Sequence, residues 1–311
     1  MIAATYSAPA KIILFGEHAV VYGHPALAAP VSDLRATATI EANPRERQGL
    51  HIALPSFDLP VSISAQTLDR ALALTVQSVL TALHADPPDV TIRIASHIPI
   101  ASGLGSGAAV STALARAVCA AVGKSMDDAA LNALIFEVEK IHHGTPSGID
   151  NTVIVYERAI VYLKGQPIQP IRVHTPLHLL IADTGISAST REAVAGVRAL
   201  YEADSARIAP ILDAIGQIAR AAQRAIEMGQ IDDLGALMAH NHAHLQTLTV
   251  SSPALDHLVD AAIRAGAIGA KLSGGGRGGN MIALIDPANE SSVRAALLDA
   301  GAMRVFSTLL R

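Results

Sequence analysis

Ser102-Gly103-Leu104-Gly105-Ser106-Gly107-Ala108 joins two runs of different periodicity. Before it, Val90–Ser96 is short, β-branched and apolar, which predicts a strand. After it, the alanine-rich stretch from about Ala108 to Val122 predicts a helix. A strand that turns through glycines directly into a helix points to a mixed α/β chain rather than an all-β one. Working outward, Lys11–Phe15 and Ala36–Ala42 read as strands, and Leu68–Ala85 carries Leu68, Leu72, Val76, Val79, Leu80 and Leu83 at helical spacing. Ser125 followed by Asp128 resembles a capping box opening a helix that runs to about His142. Pro146 and Gly148 forbid continuing that helix. Strands are predicted at Thr152–Val155, Ala159–Leu163 and Leu177–Asp183, with Gly165–Pro170 as the candidate linker. Ser189–Gly266 reads as mostly helical, and the chain closes with a strand (Ala270–Ser273), a glycine loop, a strand (Met281–Ile285) and a helix (Glu290–Ala300).

The 311 residues suit two domains or one large one. Half the residues are hydrophobic, so a sizeable core is available. No apolar run reaches the roughly 18 residues a membrane span needs, and Arg116 interrupts the most apolar helix. With a net charge of −4, no Lys/Arg cluster, 3% aromatics and no Trp, neither a phosphate-backbone footprint nor a base-stacking platform is expected. The lone Cys119 excludes an internal disulfide and a cysteine zinc cluster. Lys11 breaks the first apolar run, so no signal peptide is read and a cytoplasmic location is expected.

Three glycine-bearing segments stand out. Gly103 to Ala108 opens a helix, whose unpaired N–H groups and positive dipole end suit phosphate; a tight turn without ligand is the plain alternative. It is neither a Walker A loop nor a Rossmann fingerprint. Lys271-Leu-Ser-Gly-Gly-Gly-Arg-Gly-Gly279 has five glycines in six positions, and close approach of a ligand would offset their entropy better than a flexible surface loop does. Ser147-Gly-Ile-Asp150 taken alone reads as a turn with a capping Asp. Glu139 on its helix reads equally as an exposed carboxylate, Lys11 as a snorkelling lysine and His18 as a core histidine. His240 and His244, four apart, have zinc-like spacing but no adjacent Glu or Cys, so helix surface is the expected reading.

In combination these segments resemble a known family. Pro9-Ala-Lys11-Ile-Ile-Leu-Phe-Gly16-Glu17-His18-Ala-Val-Val-Tyr-Gly23 is similar to the first motif of the mevalonate kinases, within the GHMP kinase superfamily. Pro99–Ala109 resembles that superfamily's phosphate loop, Lys271–Gly279 its third motif, and His143–Asn151 the segment with its catalytic aspartate. The order and separations agree over nearly the whole chain. The resemblance implies an α+β, two-domain GHMP kinase fold, an N-terminal domain like ribosomal protein S5 (1–170) and a ferredoxin-like C-terminal domain (171–311), with the active site in the cleft between them. It implies transfer of the terminal phosphoryl of ATP, with Mg²⁺, to the 5-hydroxyl of mevalonate in isoprenoid biosynthesis. Relatives are often dimers, so a homodimer is among the expectations; nucleic acid and membrane are not expected partners.

Carried over by motif, Asp150 would be the general base and Lys11 would sit beside it, keeping it ionised and stabilising the transferring phosphoryl. Glu139 and Ser106 would hold Mg²⁺. Pro99, Gly103, Leu104, Gly105, Ser106, Gly107 and Ala108 would form the ATP phosphate site. Glu17, His18, Ser147, Gly274 and Gly275 would bind substrate, with Gly276 completing the pocket. Asp183-Thr-Gly185 and Ser189-Thr190 resemble a further segment near the active site. Gly107 stands where relatives often have a second Ser, Arg277 where they commonly have Gly, and Asn280 where Cys is frequent. Related alternatives are the same fold acting on phosphomevalonate or on the 3-hydroxyl of mevalonate, and a silent ligand-binding regulator.

Overall fold

The structure is a computed structural model that describes residues 4–44, 47–54, 57–62, 70–99, 102–143 and 146–311. In chain order the elements are β1 (Ala4–Phe15), β2 (Ala26–Ala42), β3 (His51–Leu54), β4 (Phe57–Ser62), α1 (Arg70–Leu83), β5 (Val90–Ser96), α2 (Ser106–Ala121), α3 (Asp128–His143), α4 (Ile149–Tyr156), β6 (Ile160–Tyr162) and β7 (Gln169–Pro170). They continue with β8 (Leu177–Asp183), α5 (Thr190–Ala203), α6 (Ser205–Met228), α7 (Ile231–Thr247), α8 (Pro253–Arg264), β9 (Gly269–Ser273), β10 (Asn280–Ile285), α9 (Glu290–Asp299) and β11 (Arg304–Leu310). The expected mixed class holds.

Two compact units interleave along the chain. The first takes 1–10, 34–100 and 105–157, and the second takes 11–33, 101–104 and 158–311. The sequence had suggested one division after residue 170. In the first unit β5 runs antiparallel to the far half of β2 (Ala36 opposite Ser96) and parallel to β3, which pairs antiparallel with β4. Helices α1, α2, α3 and α4 pack on one another, with α2 also against β5. Small and branched side chains are buried on these helices, Ala113, Leu114, Ala117 and Val118 on α2, Val76 on α1, and Ile135 and Val138 on α3. Alanine at these positions lets the helices approach closely.

In the second unit a four-stranded antiparallel sheet has the order β11-β8-β10-β9. Every residue of β10 and all but one of β8 are buried. One face presents Leu180, Ala182, Met281, Ala283 and Leu272 to Leu212, Leu255, Leu258, Val293 and Leu297 of the helices. Leu179, Ile282 and Leu284, on the other face, join Leu14, Phe15, Ile226 and Met238. Burial on both faces explains why these strands read as continuous apolar runs without alternation. Register aligns Asn280 with both Asp183 and Ser273, so three strands end at one level of the sheet. The loops that follow them, and the glycine loop, emerge there.

Three expectations need correction. Thr152–Val155 is not a strand but the body of helix α4. Its β-branched residues favour strands in isolation. Here Gly148 in the left-handed region (φ 93) starts a helix, Thr152 Oγ1 donates to the Gly148 carbonyl (2.6 Å), and Ile149, Val153, Ile154 and Val155 are buried. Packing overrides propensity. Ser125 is not the cap of α3, because the Asp127 carboxylate accepts from the Ala130 N–H at 2.7 Å. β1 and β2 are also far longer than expected, and β3, β4 and β11 had no strand reading. Leu68, expected to open the first helix, and Gly144 and Thr145 of the Asp150 motif lie outside the described residues.

Candidate active site

In the first unit the motif residues fall on the starts and ends of three mutually packed helices. Gly105 in the left-handed conformation (φ 75) is the N-cap of α2, and Ser106, Gly107 and Ala108 form its first turn. Gly105 has no side chain to cap the helix, an arrangement in which a helix start can receive an anion. Asp150 lies half-buried in the first turn of α4. Ser147, just before it, accepts the Ile149 N–H at 3.3 Å. Neighbouring Asn151 donates to Asn132 Oδ1 of α3 at 2.6 Å, which fixes the start of α4 against α3. Glu139, near the end of α3, is only 1% exposed. The alternative of an exposed carboxylate is therefore wrong: a buried carboxylate calls for positive charge or strong donors.

In the second unit Lys11 is 4% exposed on β1, which excludes the snorkelling surface lysine. Its backbone N–H donates to the Leu104 carbonyl at 3.0 Å. Leu104 is buried and Gly103 before it is exposed with φ 84, while Pro99, which belongs to the first unit, is buried. His18 is buried, with φ 61, a backbone conformation rare outside glycine. Its Nε2 lies 2.9 Å from the Gly275 carbonyl. A carbonyl can only accept, so Nε2 carries the proton and Nδ1 is the free acceptor. Burial holds the imidazole down to about 4 from its ordinary 6.5; the bond to Gly275 opposes this and the Arg277 charge adds to it. The histidine is thus neutral at physiological pH. Gly274 has φ 91 and Gly276 φ 78, which bend the third glycine segment back to His18.

Glu17 is buried and engaged within the protein. Its carboxylate pairs with the Lys271 ammonium and accepts from Asn241 Nδ2 at 3.1 Å. Lys271 is fully buried, also donates to the Leu272 carbonyl at 2.6 Å, and lies 5.8 Å from the centre of the Phe15 ring. Burial pushes its pKa down while Glu17 opposes. Beside it, His242 Nδ1 accepts the Leu272 N–H (3.3 Å) and Nε2 donates to Asp256 (3.0 Å). Sequence reasoning missed Lys271, Asn241 and His242 as a group. The one available signal was a lysine inside the apolar strand Ala270–Leu272. Arg277 is exposed, with its guanidinium folded over the Thr249 and Glu192 carbonyls. His240 is exposed and His244 half-buried, and among the described residues no three His, Cys, Asp or Glu could hold a metal.

Each unit by itself carries features that a phosphotransferase uses: a glycine-capped helix start and a buried carboxylate in the first, a buried lysine and a glycine-rich turn in the second. The GHMP kinases N terminal domain matches residues 70–158 and the GHMP kinases C terminal domain matches 218–302, and the chain belongs to the GHMP kinases. It is 38% identical to the mevalonate kinase of Thermococcus sibiricus over 325 residues, covering 98% of this chain and 96% of that one. Among solved structures it is similar to the Methanococcus jannaschii mevalonate kinase (27% identity, TM-score 0.87, 99% of this chain and 98% of that one). It is also similar to the L. major mevalonate kinase in complex with R-mevalonate (27% identity, TM-score 0.84, 99% and 96%).

Proposed function

We propose that the chain is an ATP-dependent mevalonate kinase that phosphorylates the 5-hydroxyl of (R)-mevalonate. The observation that carries this reading is similarity along nearly the whole chain to mevalonate kinases, one of them solved with R-mevalonate. The two family matches, 70–158 and 218–302, fall on either side of residue 170, whereas the compact units interleave through 11–33 and 101–104.

Phosphoryl transfer needs alignment and charge stabilisation with little covalent chemistry. Backbone N–H groups at the start of α2 and around Gly103 bind the ATP phosphates as fixed dipoles. Asp150 takes the proton of the attacking hydroxyl. The Lys11 ammonium, buried on β1, stabilises the developing charge on the phosphoryl group. His18, neutral with Nε2–H held by Gly275, offers Nδ1 as an acceptor to a substrate hydroxyl, and Ser147 and the Gly274–Gly276 turn complete substrate recognition. Glu17 serves indirectly by holding the third glycine segment through Lys271.

The residues fit a magnesium ion. Glu139 and Ser106 supply hard oxygens of the kind that magnesium takes. Held by Glu139 and Ser106, a magnesium ion would supply positive charge to the ATP phosphates. The direct test is ADP release from Mg·ATP with (R)-mevalonate, phosphomevalonate, galactose or homoserine. Turnover with mevalonate alone is expected, and no turnover with mevalonate defeats the proposal.

A further inference from the structure

Asn280 is the first residue of β10, 2% exposed, in register with the last residues of β8 and β9. Its side-chain Nδ2 donates to the Ser102 carbonyl at 2.5 Å, across 178 residues of chain. The acceptor fixes the amide's orientation, since only the nitrogen can face a carbonyl oxygen. Oδ1 then points elsewhere, and among the described residues it has no hydrogen-bond partner. At the neighbouring Gly279 (φ 70), a Cβ would meet the same Ser102 oxygen at 3.1 Å, so this end of the sheet is pressed against the loop. Two residues further on, the Leu104 carbonyl accepts from the Lys11 N–H at 3.0 Å, and the Leu104 side chain is buried. Exposed Gly103, with φ 84, is the residue between those two anchors.

We propose that Asn280 is a positioning residue for the ATP phosphate loop, tying Ser102 to the sheet so that the Gly103 backbone is held ready for phosphate. This rests on the kinase reading above. Dipoles aimed at phosphate help only if they are fixed before the ligand arrives, because ordering a glycine segment costs entropy. β1 anchors one side of Gly103 through a backbone bond, and Asn280 anchors the other through a side chain. With Oδ1 unpartnered among the described residues, it is the Nδ2 donor that ties this side chain to the loop.

Asn280→Leu has nearly the same size, lacks the donor and also removes the orphaned acceptor. Asn280→Asp keeps the shape and replaces the donor with an acceptor. Both are compared with the wild type by melting temperature, by calorimetric binding of a non-hydrolysable ATP analogue with Mg²⁺, and by separate KM values for ATP and mevalonate. N280L is expected to melt within a few degrees of the wild type, with the KM for ATP and the analogue Kd raised roughly tenfold and the KM for mevalonate changed less than about twofold. N280D is expected to show the same split. If either folded variant binds the analogue as tightly as the wild type does, the proposal is overturned. It is also overturned if both KM values rise together, or if neither variant folds, because Asn280 then serves the sheet and not the loop. A wild type that binds no nucleotide removes the kinase reading and this proposal together, whereas loss of the ATP-specific split in an active enzyme removes only the proposal.

Discussion

His18 shows how one residue couples the site to pH. Its imidazole titrates near 6.5 in the unfolded chain and near 4 in the fold, because burial penalises the charged form. Below pH 6.5 the unfolded state takes up a proton that the folded state refuses, so stability is complete above that value and falls as pH drops toward 4. The shift corresponds to roughly 3 kcal/mol at most. Melting temperature measured from pH 8 to pH 4 is expected to drop most between 6.5 and 4. His18→Gln, which keeps a donor for Gly275 but cannot titrate, is expected to flatten that decline; an unchanged profile counts against His18 as the source. Asp150→Asn tests the proposed base. It keeps the size and the start of α4 while removing the proton acceptor, so nucleotide affinity should persist and kcat should fall roughly 10²–10⁴-fold in steady-state assays. The identities of His18, Asp150, Glu139 and Lys11 as candidates were legible because each sits in a motif. That Glu139 and Lys11 are buried was not, since a charged residue in an amphipathic pattern reads the same whether it faces water or a site.

At the level of elements, glycines decide where strands stop and site turns begin. Gly16 ends the apolar stretch of β1 with φ 92, and a Cβ there would lie 2.6 Å from the Ala26 Cα of β2. Backbone cannot yield as a flexible side chain can. Gly16→Ala is expected to destabilise the protein by about 2–4 kcal/mol in denaturant titrations. Gly123→Ala, with open space around its Cβ but φ 65, should cost less, roughly 1 kcal/mol. Reversal of that order would show that close packing at Gly16 is not what matters. Val90–Ser96 and Leu177–Asp183 matched the structure at both ends because turn residues bound them and their composition is unambiguous. α4 did not, because Ile149-Asp-Asn-Thr-Val-Ile-Val is locally strand-like and becomes helical through burial and the Asn151–Asn132 tie. β11 was overlooked for the opposite reason. Arg304–Leu310 is partly exposed and polar, and only pairing with β8 makes it a strand.

At the scale of the molecule, the Glu17–Lys271–Asn241 group joins residues 254 and 224 positions apart. A buried pair gains little over an apolar replacement, but removing one partner leaves the other charged and dry. Lys271→Met is expected to cost about 3–5 kcal/mol, and the Glu17→Gln/Lys271→Met double variant is expected to recover most of it in equilibrium unfolding. Additive losses in the double variant would mean the pair is not coupled. The amino-acid order alone determined the mixed class, the helices α1, α2, α3 and α9, the helical character of 189–266 and the glycine turns, because these depend on local periodicity and on residues that act through their own backbone. Tertiary structure alone decided that Lys271 is a buried partner of Glu17, that Asn280 reaches Ser102, that α4 is a helix and that two units interleave. Those outcomes depend on which distant groups are brought out of water together, and no local pattern encodes that.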